Sequence, residues 1–200
     1  MTKKQVVREW GVANATKATL VEAALRVVER DGVAAATTRQ IADEAGMPLG
    51  TVHYWFADKD ELLRAVVNTL LLEVRDTVHR ASSSATSSER LSRTYEAFMQ
   101  LPVGRQLALF ELTTFAIRNE PLRELAQSQY LAYREAAEEG LSPWRVAADR
   151  LPGGSVALAA LVIAVVDGLS LASLADPQTP AEDALALFAH LLALAGIGEV

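Results

Sequence analysis

The sequence contains no cysteine, which excludes disulfide bonds and sites in which thiolates bind a metal. Histidine is scarce as well, and the three present, His53, His79 and His190, are scattered along the chain. The zinc-protease pattern HExxH, the serine-hydrolase pattern GxSxG and the glycine-rich phosphate loop do not occur. We therefore predict no catalytic residue, no metal and no cofactor. An active site among the C-terminal helices is the alternative.

An excess of positive charge is also missing. The formal net charge is -6 and the pI is about 5.1, whereas a domain that binds nucleic acid is commonly basic. Residues 1–60 contain eight Lys/Arg and eight Asp/Glu, while residues 61–200 contain eleven and seventeen. A neutral N-terminal part can still place a few cations against phosphates, with a modest salt dependence. The acidic remainder favours neutral or cationic small molecules over anions.

Strand-like alternation of apolar and polar residues does not run over a useful length. Apolar residues instead recur at helical spacing, as Leu62, Val66 and Leu70 do. The pattern predicts an all-α chain of about nine helices. The expected spans are about 17–30, 37–45, 49–55, 59–81, 89–101, 103–118, 122–139, 155–175 and 180–195, with a short helical piece within 143–150 and a Ser-rich link at 82–88.

Residues that start helices are recognisable from their hydrogen-bonding side chains. In a capping box, the residue before the helix and the residue three positions later satisfy each other's free amides. We predict three such boxes: Thr37 with Gln40, Asp58 with Glu61, and Thr179 with Glu182. Gly46 is expected to end the second helix, because glycine readily adopts the left-handed conformation needed there.

Residues 37–59, TTRQIADEAGMPLGTVHYWFADK, are the most informative part of the chain. They predict two short helices joined by a tight turn, and the second carries many hydrogen-bonding and aromatic side chains. This arrangement is typical of a helix-turn-helix, which places one short helix in the DNA major groove. Residues 1–15, which are polar and mildly basic, are expected to form a mobile arm that is either a frayed end or a contact to the DNA.

The chain resembles the tetracycline-repressor (TetR) family over about residues 17–65. The resemblance rests on a first helix that ends at Gly32, followed by TTRQIADEAG and then GTVHYWFADKDELL. His53 stands where the family usually has tyrosine, and Pro48 stands where a serine cap is common. The remainder is similar to the family only in being all-α and of comparable length.

The resemblance implies an N-terminal three-helix DNA-binding domain in residues 1–60 and a C-terminal effector-binding and dimerisation bundle in residues 61–200. It implies a homodimeric repressor that binds a palindromic, double-stranded operator and is released by a small-molecule effector. The alternative is an architectural or blocking DNA-binding protein of the same fold without small-molecule control. Because the first residues lack the apolar core of a signal peptide, we expect a cytoplasmic protein.

The candidate DNA contacts follow from side-chain chemistry. Arg39 can grip guanine or a phosphate with two hydrogen bonds, and a surface ion pair with Asp43 is the alternative. Gly50 permits close approach of the backbone to DNA, whereas Trp55 and Phe56 are expected in the core. The predicted contacts are Thr38, Arg39, Leu49, Gly50, Thr51, His53, Tyr54 and Lys59, the last as a phosphate clamp at a helix start.

Residues 156–175 are almost long and apolar enough to cross a bilayer. Asp167 in their middle and the absence of flanking basic residues oppose that interpretation. We instead expect the last two helices to form a four-helix interface between two subunits. The predicted interface residues are Leu161, Val165, Gly168, Ala172, Leu185, Phe188, Leu191 and Leu192.

The aromatic residues of the C-terminal part suggest an apolar effector pocket with a few polar contacts. Ordinary core packing is the alternative for each of them. The predicted pocket residues are Phe98, Met99, Phe110, Thr113, Thr114, Tyr130, Tyr133 and Trp144. Asp167 is expected to be a buried acid that must be paired, holding a helix junction rather than a ligand.

Overall fold

The computed structural model describes the backbone of residues 3–82 and 87–198 and the side chains of residues 15–76 and 89–198. Within these ranges every regular element is a helix, which confirms the all-α prediction. The α-helices are α1 (Lys3–Asp31), α2 (Thr38–Ala45), α3 (Leu49–Trp55), α4 (Lys59–Ser82), α5 (Ser87–Met99), α6 (Val103–Arg118), α7 (Arg123–Gly140), α8 (Arg145–Ala148), α9 (Gly154–Ala175) and α10 (Ala181–Leu194). Short 3-10 helices occupy Glu120–Leu122 and Ser142–Trp144.

The first helix is longer than the sequence pattern indicated. It begins at Lys3, so the prediction of a mobile arm is wrong for residues 3–15. Those residues contain one glycine and no proline. A single internal glycine weakens a helix by about 1 kcal/mol but does not stop it. The Ser-rich link falls partly outside the described residues, since 83–86 are not among them.

Two of the predicted helix starts are confirmed. The Gln40 amide donates to Thr37 Oγ1 at 3.2 Å and the Thr37 amide donates to Gln40 Oε1 at 3.4 Å, which completes a capping box. Asp58 Oδ1 accepts from the Glu61 amide at 2.7 Å. The Glu61 carboxylate accepts from the Ala57 amide at 2.8 Å, one residue before the expected position.

The third predicted box is wrong. Thr179 does not cap α10; its hydroxyl instead donates to the Ala172 carbonyl at 3.1 Å, at the end of α9. The Gln178 amide donates to Asp176 Oδ1 at 2.9 Å, which closes a tight turn between the two helices. This turn brings the threonine hydroxyl to the Ala172 carbonyl, which also accepts from the Asp176 amide at 2.8 Å. Pro180 precedes α10 without a side-chain cap.

The chain forms two compact units. The first contains the chain up to Leu70 together with Leu107–Ala126, and the second contains Leu71–Gln106 together with the chain from Gln127. Helices α4 and α6 each contribute residues to both units. The predicted division into a DNA-binding domain (residues 1–60) and a C-terminal domain (residues 61–200) stays a prediction.

The core of the first unit is built from α1 to α4 and α6. Its most deeply buried side chains are Leu20, Val27, Ile41, Val52, Phe56, Leu62, Leu63, Leu70, Leu112 and Leu122. In the second unit, the described residues include two core clusters. One is Leu141, Ala148, Leu158, Ala159 and Ile197, and the other is Tyr95, Ala181 and Leu185.

Candidate nucleic-acid interface and regulatory region

Helix α2 is held against α1 by buried apolar residues and by an ion-pair network. Ile41 and Ala42 are buried. Glu44 Oε1 accepts from Arg26 Nε at 2.8 Å and Glu44 Oε2 accepts from Arg30 at 2.8 Å. These hydrogen bonds lower the pKa of the Glu44 carboxyl. Exposed ion pairs contribute little stability each, so burial of Ile41 and Ala42 carries most of the attachment of α2.

Helix α3 is anchored on one side only. Val52 is fully buried, and Phe56, which follows the helix, packs into the core. The Lys17 ammonium lies 5.1 Å from the centroid of the Phe56 ring, a favourable cation–π contact. The prediction that Phe56 is a core residue is confirmed, whereas Trp55 is only partly buried.

The opposite face of α3 is open to solvent. Gly50 and His53 are exposed, and Tyr54 retains 79% of its accessible surface. The rings of Tyr54 and Trp55 meet edge to face with centroids 5.1 Å apart. A Cβ added to Gly50 would meet nothing within 4 Å, so the backbone there is accessible. A seven-residue helix that buries one side and exposes hydrogen-bonding groups on the other is suited to enter a groove.

Arg39 lies exposed in the first turn of α2. Both Arg39 and Asp43 belong to the described residues, and no ion pair joins them there. The alternative interpretation of Arg39 as a surface ion pair is therefore not what this structure shows. Thr38, Leu49 and Thr51 are partly exposed at the ends of the two helices. The Thr51 amide donates to the Pro48 carbonyl at 2.8 Å, since Pro48 offers no side-chain cap.

Lys59 points toward the protein. Its ammonium donates to the Val33 carbonyl at 3.0 Å and lies 5.6 Å from the centroid of the Phe115 ring. Burial lowers the pKa of Lys59. One of its three N–H groups is used by Val33, so a phosphate could receive only the others. The phosphate contact stays a prediction.

The loop after α1 is also held by α6. The Val33 amide donates to Glu111 Oε2 at 3.0 Å across 78 positions of the sequence. The same carboxylate oxygen lies 3.0 Å from the place that a Cβ on Gly32 would occupy. Gly32 has φ 84°, a conformation that favours glycine. Glu111 and Lys59 thus bind the two backbone groups of Val33 from different helices.

The predicted pocket residues are distributed over both units. Phe110, Thr113 and Thr114 belong to the first unit. The Thr113 hydroxyl donates to Leu109 and the Thr114 hydroxyl to Phe110, each to a carbonyl of their own helix. In the second unit, Trp144 packs against the cluster of Leu141, and Met99 against that of Tyr95. Phe98 is partly buried on α5.

The rings of Tyr130 and Tyr133 are in contact with each other, and Tyr130 also forms a hydrogen bond with Asp167. Their ring centroids are 5.7 Å apart. The Tyr130 hydroxyl donates to Asp167 Oδ2 at 2.8 Å, and Gln129 donates to the Tyr133 hydroxyl at 3.0 Å. Burial raises the pKa of Asp167, opposed by the Tyr130 hydrogen bond. Burial also raises the pKa of Tyr133 to about 12. Asp167 thus joins α9 to α7.

The predicted interface residues differ in exposure. Leu161, Gly168 and Leu191 are exposed, while Val165, Ala172, Phe188 and Leu192 are partly buried. The interface prediction is corrected at Leu185, which lies in the protomer's own core. It retains only 2% of its surface and packs with Tyr95 and Ala181. Within the described residues, α9 is long and apolar enough to cross a membrane, judged by length and composition alone.

A short helix that exposes one face and follows a second short helix across a tight turn is characteristic of a helix-turn-helix DNA-binding protein. The profile described as "Bacterial regulatory proteins, tetR family" matches residues 20–66, and "Tetracyclin repressor-like, C-terminal domain" matches residues 83–194. The chain belongs to the TetR family. It is therefore a transcriptional regulator and not an enzyme, as the sequence predicted.

Similar proteins match this chain over most of their own length. The chain is 33% identical over 168 residues to the nicotine-responsive transcriptional repressor HdnoR of Paenarthrobacter nicotinovorans, covering 80% of this chain and 84% of the relative. A transcriptional regulator from Rhodococcus sp. Rha1 superimposes with a TM-score of 0.73 at 22% identity, covering 89% of this chain and 96% of the other. The multidrug binding protein EbrR complexed with imidazole has a TM-score of 0.67 at 26% identity, covering 86% and 87%.

Proposed function

We propose that this regulator is a ligand-responsive repressor, which binds a palindromic operator as a homodimer and leaves it when a small molecule binds. The observation that carries the proposal is the one-sided anchoring of α3, which buries Val52 and exposes Gly50, His53 and Tyr54. Similarity to a nicotine-responsive repressor and to a multidrug binding protein supports control by a small organic molecule.

The DNA contacts divide into two chemical groups. Arg39, His53 and Tyr54 have the hydrogen-bonding groups and the exposure to reach base edges. The hydroxyls of Thr38 and Thr51 suit phosphates, which position a protein without reading sequence. Leu49 offers an apolar contact to a thymine methyl group. Lys59 would add a phosphate contact with the N–H groups that Val33 leaves unused.

A homodimer is supported by the surface of the last two helices. Leu161 and Leu171 of α9 and Leu187, Leu191 and Leu194 of α10 are large apolar side chains that the protomer leaves exposed. Such a surface is characteristic of an interaction site. Two copies paired there would present two α3 helices, which must be separated by about one helical turn, 34–36 Å, to enter successive major grooves. We place the protein in the cytoplasm and not in a membrane.

Coupling between effector and DNA would pass through Val33. Lys59 of α4 and Glu111 of α6 bind the carbonyl and amide of this residue, and both helices continue into the second unit. A small shift of either helix would move the loop between α1 and α2. A coupling free energy of about 1–3 kcal/mol would change operator affinity roughly 5–150-fold.

Selection of binding sites from random duplexes tests the proposal. We expect an inverted repeat whose half-sites lie about one or more helical turns apart, at one or a few promoter positions. Many dispersed sites without a common palindrome would instead support the architectural alternative. A duplex carrying one intact half-site is the control, and it should bind much more weakly than the full site.

A further inference from the structure

Among the described residues, Asp167 is a carboxylate without a basic partner. It is the one charged residue of α9, and residues 151–200 contain no Lys or Arg. Among the described side chains no basic group lies within ion-pair distance of it, and its one hydrogen-bond partner is the Tyr130 hydroxyl. A partly buried charge that is not paired opposes folding. A positively charged ligand could therefore supply the partner that the Asp167 carboxylate lacks.

The surroundings of Asp167 are aromatic and polar. Tyr130 and Tyr133 of α7 lie beside it with their rings edge to face. Ser170 follows one turn along α9 and retains 1% of its surface, and its hydroxyl has no hydrogen-bond partner among the residues that the structure describes. Ser173, one turn further, is bonded to the Tyr95 hydroxyl of α5 at 2.8 Å. At about 100° per residue these three α9 positions share one side of the helix.

We propose that Asp167 is the counter-ion of a binding site for an organic monocation, a protonated amine or a quaternary ammonium with an apolar body. The cation would lie against the free Asp167 oxygen and the tyrosine rings, whose faces attract positive charge. The buried Ser170 hydroxyl would bond a polar group of the same molecule. An anion would meet the carboxylate, and no described basic side chain lies within ion-pair distance of Asp167 to offset the repulsion. The assignment rests on the proposed function, because it describes the effector of that regulator.

The test uses the full-length protein without DNA and measures binding by calorimetry. The probes are benzyltrimethylammonium, a permanent cation; benzylamine, protonated at neutral pH; and benzyl alcohol, which is neutral. We expect the wild type to bind at least one cation and to bind benzyl alcohol at least tenfold more weakly. Tighter binding of benzylamine would show that an N–H donor is recognised, and tighter binding of benzyltrimethylammonium would show that the methyl groups are.

Asp167→Asn keeps the shape and removes the charge. We expect it to weaken cation binding about tenfold or more, while Asp183→Asn, which removes an exposed acid of α10, leaves binding unchanged. Tyr130→Leu should also weaken binding, whereas Tyr130→Phe, which keeps the ring, should not. The Tyr130 pair tests the site even if Asp167→Asn does not fold, because this side chain is partly exposed.

Several outcomes would overturn the assignment: no cation binds the wild type at millimolar concentration, benzyl alcohol binds equally, or Asp167→Asn binds as the wild type does. A change of oligomeric state in Asp167→Asn with cation binding intact would likewise assign Asp167 to a subunit contact. Operator binding is measured separately. If the operator is bound but no cation is, this inference alone fails; if cations bind but no operator is found, the proposed function fails.

Discussion

Removal of the Glu111 carboxylate is expected to loosen the connection between α6 and the loop after α1. The carboxylate is the partner of the Val33 amide at 3.0 Å, and Val33 is buried. Leaving a buried amide without its acceptor costs about 1–3 kcal/mol. Because Glu111 itself is exposed and its charge is screened by water, we expect Glu111→Ala to lie in the lower part of that range, about 1–2 kcal/mol.

The assay is thermal unfolding of the purified protein, followed by circular dichroism at fixed protein concentration. For a chain of this length each kcal/mol lowers Tm by about 2–4 °C, so Glu111→Ala should lower Tm by about 2–8 °C. Glu111→Gln keeps an acceptor oxygen and should lose about half as much. Glu96→Ala, an exposed glutamate within α5, is the matched control and should change Tm little.

The same variants test the coupling. If the loop transmits the effector signal, Glu111→Ala should reduce the difference in operator affinity measured with and without effector. A variant with unchanged Tm would refute the assigned strength of the hydrogen bond. A variant with lower Tm but an unchanged effector response would show that the contact stabilises the first unit without transmitting the signal.

Four further outcomes are expected. Arg39→Ala should lose about 1–3 kcal/mol of operator binding and relax base preference; equal loss on every duplex would assign Arg39 to a phosphate. Lys59→Ala should lower Tm because the Val33 carbonyl loses a donor, and should lower the salt slope of binding by about one; an unchanged slope would exclude the phosphate contact. Leu191→Glu, on the exposed face of α10, should yield monomers that bind operator poorly, and a dimer in light scattering would move the interface elsewhere. Burial raises the pKa of Asp167 in the folded protein, so the protonated carboxyl favours folding. Asp167→Asn should therefore raise Tm at neutral pH, and this gain in Tm should vanish at acidic pH, where the wild-type carboxyl is protonated. A gain in Tm that grows as the pH falls would contradict the direction of the pKa shift.

Local signals in the sequence predicted the DNA-reading unit well. Thr37 and Gly46 act on their own neighbours, so the box and the left-handed end of α2 follow from residue type and spacing. The buried position of Phe56 follows from its place at the end of α3, which the helix-turn-helix arrangement puts next to α1. The same reasoning gave a wrong prediction for Thr179. Its hydroxyl donates instead to the Ala172 carbonyl, which only the turn between α9 and α10 brings near.

Contacts between distant residues could not be predicted in the same way. The bonds from Val33 to Glu111 and to Lys59 join parts of the chain that no periodicity relates. Leu185 shows a second limit. An apolar stripe on α10 is consistent both with a subunit interface and with the protomer's own core, and packing against Tyr95 decides for the core.

The central claim is that two α3 helices are presented together, at a separation that one duplex can receive. The absence of cysteine makes this directly measurable, because Ala57→Cys, an exposed position just after α3, introduces one thiol per chain for a spin label. On operator DNA, electron-spin distance measurements should give one distribution centred at about 34–36 Å, broadened by the label arms. Absence of an inter-label distance, or a separation that no straight or bent duplex could match, would contradict the account.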